Sequence, residues 1–129
     1  MNDISYSFEK LDVWQMAKQL VVEVYHLLDR FPKIEKYALC DQIRRAIVSV
    51  PSNIAEGSGR KSMREQIHFI EISYGSLMEA YNQLLIAVEL TYIDEESVRA
   101  IKPTIDNVAK MLNGLRNSYT RKLKEQNLS

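Results

Sequence analysis

Cysteine is almost missing from this chain: Cys40 stands alone, so no internal disulfide can brace the fold. A lone thiol suits a reducing, cytoplasmic setting. Long apolar runs are missing too. The longest uncharged stretch, Ala46 to Ala55, is ten residues and contains Pro51, whereas a membrane span needs about 20 apolar residues. No membrane partner is expected. The opening Met1-Asn2-Asp3-Ile4-Ser5 lacks a basic region followed by an apolar run, which excludes a signal peptide from the reading. Only four glycines and three prolines punctuate 129 residues, with no repeat and no low-complexity tract. Nor does one sign of charge prevail, with 17 basic and 17 acidic side chains.

What is present describes a folded protein. Hydrophobic residues make up 46% and charged residues 26%, an ordinary globular balance that argues against disorder. The length suits one domain, residues 1–129, able to bury roughly two thirds of its unfolded surface.

Apolar residues recur at helical spacing in four segments. The first, about 11–31, carries Trp14, Ala17, Leu20, Val21, Val24, Leu28 and Phe31; Pro32 and a charged tetrapeptide then turn the chain. The second, about 38–56, follows Leu39, Ile43, Ile47, Val50 and Ile54. Its stripe keeps phase across Pro51, so it reads as one helix bent at that proline, ended by Gly57-Ser58-Gly59 through a left-handed cap. The third, about 63–92, opens on Ser62-Met63-Arg64-Glu65, which fits a capping box. Its stripe is Ile67, Ile70, Tyr74, Leu77, Tyr81, Leu84 and Val88. The fourth, about 95–123, begins with acids at the positive end of the helix dipole. It alternates spacings of three and four through Val98, Ile101, Ile105, Val108, Leu112, Leu115 and Tyr119, with a bend expected at Pro103. No segment alternates with the period of a strand. The fold class is all-α: an antiparallel up-down-up-down four-helix bundle.

Catalytic signals are weak. Glu23–His26 and Glu65–His68 have the Glu-x-x-His frame of di-metal bundles, but both histidines point away from their apolar stripes. Placed on parallel helices, the two pairs are offset by about nine residues, or ~13 Å. Gly57-Ser58-Gly59-Arg60-Lys61-Ser62 resembles a phosphate loop only loosely, because the glycine spacing is wrong and no strand precedes it. Cys40 adjoins a core position, and neither histidine can be placed beside it. The expectation is no catalytic residue, no metal site, no cofactor and no small-molecule substrate.

Two surfaces stand out instead. Beyond its core stripe, the third helix carries Phe69, Ile72, Ile86 and Leu90 on the opposite half of the wheel. A helix apolar on both faces needs a cover on both, which points to self-association. Charge is also segregated along the chain: residues 65–98 hold seven acids and no Lys or Arg, while residues 99–129 hold seven basic side chains against two acids. An up-down-up-down topology gathers Arg60, Lys61 and Arg64 with Arg116, Arg121, Lys122 and Lys124 at one end. Glu89, Asp94, Glu95 and Glu96 gather at the other. Such a basic end is a candidate site for an anion or for RNA or DNA.

Ser49-Val50-Pro51-Ser52-Asn53-Ile54-Ala55-Glu56-Gly57, followed by Gly59-Arg60, carries a resemblance. So do Phe8-Glu9-Lys10-Leu11-Asp12-Val13-Trp14 and Gly75-Ser76-Leu77. Over about residues 8–120 the chain resembles the four-helix bundle proteins encoded in intervening sequences of bacterial 23S ribosomal RNA genes. The resemblance implies an antiparallel bundle that assembles as a homopentamer. A related protein, the accessory variability determinant of diversity-generating retroelements, is strongly basic and binds nucleic acid. This chain is neutral, with a pI near 6.7, which leaves only its basic end to do so.

Overall fold

The computed structural model describes residues 5–128; Met1–Ile4, most of the segment read for a signal peptide, lies outside the described residues. A short 3₁₀ turn at Ser7–Lys10 comes first, closed by the Glu9 carboxylate accepting from the Tyr6 amide at 2.7 Å. Helix α1 spans Asp12–Leu28 and buries Val13, Ala17, Leu20, Val24, Leu27 and Leu28; Val13 and Leu27 lie outside the expected stripe, whose Trp14 and Val21 are only partly buried. The helix stops short of Phe31. Pro32 forces the residue before it out of the helical region, and the chain tightens through Arg30 N–Leu27 O and Phe31 N–Leu28 O bonds of 3.1 Å. Phe31 stays buried all the same, its ring 5.5 Å from that of Tyr92.

Helix α2 spans Leu39–Ser58 and α4 spans Glu95–Leu128. Each runs through its proline, Pro51 or Pro103, as a single continuous helix. The end of α2 differs from the expectation of a left-handed glycine cap: among the described residues no glycine has positive φ. Gly57 lies inside the helix and is buried, and Gly59 caps it at φ −88°.

Helix α3 spans Met63–Glu89. Only half of the expected capping box forms. Ser62 Oγ accepts from the Glu65 amide at 3.4 Å, while the Glu65 carboxylate turns to Arg60 at 3.8 Å. At the other end Thr91 N reaches Val88 O at 2.9 Å and Tyr92 N reaches Ala87 O at 3.0 Å. This pair of bonds is the Schellman arrangement, which needs a left-handed residue, and Thr91 supplies it with φ 61°. Asp94 then opens α4, its Oδ1 accepting from the Ser97 amide at 2.8 Å. Hydrogen bonds from Ser97 hold the Asp94 carboxyl below its ordinary value. Past Gly114 no glycine or proline interrupts the sequence, and α4 continues beyond residue 123 for that reason.

Sequential helices pack against one another and α1 closes on α4, giving the order α1-α2-α3-α4 around one core. The α2–α3 pair is the most extensive, and a polar seam runs along it. Ser73 Oγ donates to Val50 O at 2.8 Å, and the Ser49 and Ser76 hydroxyls meet at 2.8 Å. Asn53 Nδ2 donates to Ser49 O at 2.8 Å, and Gln83 Nε2 to Gln42 Oε1 at 3.4 Å. The buried line of α3 is therefore Ile70, Ser73, Leu77, Ala80, Gln83, Leu84 and Ala87. Tyr74, Tyr81 and Val88, expected in the stripe, are only partly buried. Small side chains face α2 because they let the two backbones approach.

Candidate functional site

The register of α3 against α4 fixes where the charges fall. Arg116 Nε contacts Glu71 Oε2 at 2.8 Å, and Lys102 Nζ lies 5.7 Å from the centre of the Tyr81 ring. The helices are antiparallel, so the last turns of α4 lie beside the α2–α3 turn. Arg60, Lys61 and Arg64 thus share one end with Arg121, Lys122 and Lys124, as the topology predicts.

These cations are not equivalent. Arg60 is tied into the turn: it pairs with Glu56 at 2.7 Å, reaches Glu65, and lies 4.9 Å over the Phe69 ring. Its carbonyl accepts from Gln66 Nε2 at 2.6 Å. Arg116 is held by Glu71. Lys122 lies 5.8 Å from the Tyr119 ring centre. Lys61, Arg64, Arg121 and Lys124 are exposed and make no ion pair among the described residues. Guanidiniums already answered by carboxylates contribute little to a field outside the protein. The opposite end is less acidic than its α3–α4 half suggests, because the α1–α2 connection brings Arg30, Lys33 and Lys36 there. Arg30 donates to the Ser97 hydroxyl at the start of α4.

On α3 the four expected outer residues divide. Ile72, Ile86 and Leu90 are 37%, 43% and 47% exposed. Phe69 is not with them. It is half-buried against Gly57 across the α2–α3 turn, with Arg60 on one face and His68 at its edge. Its position on the wheel falls toward α2, and wheel geometry alone does not say where α2 lies. Other exposed apolar side chains went unnoticed in the sequence: Leu85 on α3, Val22 on α1 and Val48 on α2. Each is a hydrophobic residue off its helix's main stripe, the one signal that would have revealed it.

Two clefts accompany these residues. One of about 600 Å³ lies between α3 and α4, lined by Leu85, Ile86, Val98, Glu95 and Lys102 among others. The second, of about 380 Å³, lies between α1 and α2, and Lys18 is the one charged side chain lining it.

The Glu-x-x-His frames lead to separate surfaces. Glu23 accepts from Gln19 at 3.0 Å with His26 exposed, whereas Glu65 faces Arg60 and His68 touches Phe69. Among the described residues no three His, Cys, Asp or Glu side chains are grouped so as to hold a metal ion. Cys40 is buried, and burial pushes its thiol up, away from the nucleophilic thiolate. No described helix is long and apolar enough to cross a membrane.

Comparison with known proteins agrees with this architecture. No curated protein matches the chain. A solved structure from Bacteroides thetaiotaomicron, a protein of unknown function from the S23 ribosomal protein family, superposes with a TM-score of 0.71 at 20% identity. The match covers 81% of this chain and 97% of that one, and it speaks for the fold. Residues 9–114 match the family described as 23S rRNA-intervening sequence protein. The match takes in most of the chain and the Pro51–Gly57 stretch at its centre, so this protein belongs to the 23S rRNA-intervening sequence protein family.

Proposed function

We propose that this chain is a non-catalytic helical module that works as a homo-oligomer, with the pentamer its family resemblance implies as the expected state. The observation that carries this reading is the outer side of α3, where Ile72, Ile86 and Leu90 stay exposed after the bundle has closed. Three large aliphatic side chains along one helix are costly to leave in water, at about 25 cal/mol per Å² of apolar area. A second copy is the surface most readily available to cover them. Light scattering or native mass spectrometry at micromolar concentration should give a multiple of the 15.0 kDa chain mass. A monomer throughout would refute it.

A second reading rests on a different observation, the unpaired cations at one end. Lys61, Arg64, Arg121 and Lys124, with Lys122 beside them, would track the phosphates of RNA or DNA. Assembly would multiply their local density. Arg60 and Arg116 are poorer candidates because carboxylates already hold them. Binding should weaken steeply with salt and fall when Lys61, Arg64, Arg121 and Lys122 are neutralised together. No retention of a mixed-sequence RNA or DNA at low salt removes the reading.

A further inference from the structure

If copies of this chain associate, two of its exposed apolar surfaces differ in a way that decides how. The α3 surface is a ridge whose Ile86 also borders the α3–α4 cleft; that cleft is lined by Glu89, Glu95, Arg99 and Lys102 and so suits an apolar ridge less well than the α1–α2 groove does. Ile72, Glu79 and Ile86 recur every seven residues, close to two helical turns, so they form one line with steps of roughly 10 Å. Glu79 stands at its midpoint without an ion-pair partner among the described residues. No Lys or Arg occurs from residue 65 to 98 to offset it.

The α1–α2 surface is a groove. Phe8 meets Trp14 edge-on at 5.0 Å, and Val22 and Val48 are 52% and 38% exposed beside Pro51. Lys18 lies 4.8 Å over the Trp14 ring and pairs with no carboxylate among the described residues. Groove and ridge share no residue, and α2 separates α1 from α3 in the order of the bundle.

A two-fold contact between ridges would bring one Glu79 onto the other, since the acid lies at the centre of the line. Burying two like charges together opposes association. A contact between two grooves would leave a void and set Lys18 against Lys18. Ridge into groove instead fills the cleft with aliphatic side chains and sets an unpaired carboxylate against an unpaired ammonium. We infer that one copy seats the α3 ridge Ile72-Glu79-Ile86 in the α1–α2 groove of the next, a head-to-tail contact. Contacts of this type propagate and close into a ring when the rotation allows. The inference rests on the self-association reading and adds to it which surfaces meet.

Two variants test it. Ile86→Asp spoils the ridge and Val48→Asp spoils the groove. Each position is substantially exposed, so circular dichroism should show native helicity for both. Each alone should be monomeric. Mixed in equal amounts, the intact groove of the first accepts the intact ridge of the second, and a species of twice the 15.0 kDa mass should appear and grow no further. If Val48→Asp still assembles, or mixing restores nothing, the head-to-tail contact is wrong while self-association stands. A wild-type monomer would overturn both.

Trp14, the lone tryptophan, gives a second measurement that needs no variant. Diluting the wild-type oligomer until its mass falls should shift the tryptophan emission to the red. An unchanged emission maximum across that dissociation would also overturn the inference.

Discussion

Replacing Gly57 by alanine probes a close approach of α2 and α3. A Cβ built on Gly57 stands 2.8 Å from the Cβ of Phe69, whereas non-bonded carbons settle at about 3.5–4.0 Å. The opposing atom is attached directly to the α3 backbone, so no rotamer change moves it away. The two helices must part by roughly 1 Å, through a seam where Ser73, Ser49 and Ser76 make 2.8 Å hydrogen bonds. Overpacking of this kind costs about 1–3 kcal/mol. Alanine within a helix returns about 1 kcal/mol of propensity over glycine, leaving a net loss of up to about 2 kcal/mol.

Gly114→Ala in α4 is the matched control, because none of the described residues lies within 4 Å of its added Cβ. There the propensity gain should stand alone, at about 1 kcal/mol. In a chain of this size that separates the two variants in Tm, with a fall of up to about 8 °C for Gly57→Ala against a rise of about 3–5 °C for Gly114→Ala. Thermal melts followed by circular dichroism, with urea midpoints at constant m, would compare them. Equal stabilisation by the two alanines would refute the reasoning.

Gln83 is buried and its Oε1 has no hydrogen-bond partner among the described residues, while its amide makes one long bond to the exposed Gln42. Gln83→Met keeps the shape and removes an unsatisfied carbonyl, so chemical denaturation should show about 1 kcal/mol of added stability. Thr91 holds a left-handed conformation at φ 61° that opposes a β-branched side chain by about 1–2 kcal/mol. Thr91→Gly should therefore raise the melting temperature, and a fall would mean that the Thr91 hydroxyl bond to Leu90 O outweighs the strain. Tyr92 donates its phenol proton to Glu35 at 2.7 Å, and that bond raises the Tyr92 pKa above its ordinary value of 10.0. The protonated form is the one the fold favours. The contribution of this bond is thus complete below pH 10 and is lost as pH rises through the raised value. An alkaline titration of stability should lose part of its decline in Tyr92→Phe; an unchanged alkaline limb would assign that decline elsewhere.

The sequence by itself determined the four helices, their order and most of the core of α1, α2 and α4. Buried aliphatic residues at three- and four-residue spacing can satisfy backbone and core together in one way, as parallel columns of helix. It also determined that the basic residues near positions 60 and 121 share an end, because short turns leave consecutive helices antiparallel. Only the tertiary structure decided what Gly57 and Phe69 are for. Along the chain one looked like a helix terminator and the other like part of an outer face, since neither residue signals a partner twelve positions away. Packed, they form one close approach of α2 and α3. The same packing paired Arg60 and Arg116 with carboxylates, drew Ser73 and Gln83 into the core, and left Val22 and Val48 exposed. Periodicity measures which way a side chain points from its own helix axis; what stands opposite depends on how the neighbouring helix is rotated. That rotation is set by the side chains of both helices at once, and it exists only in the folded bundle.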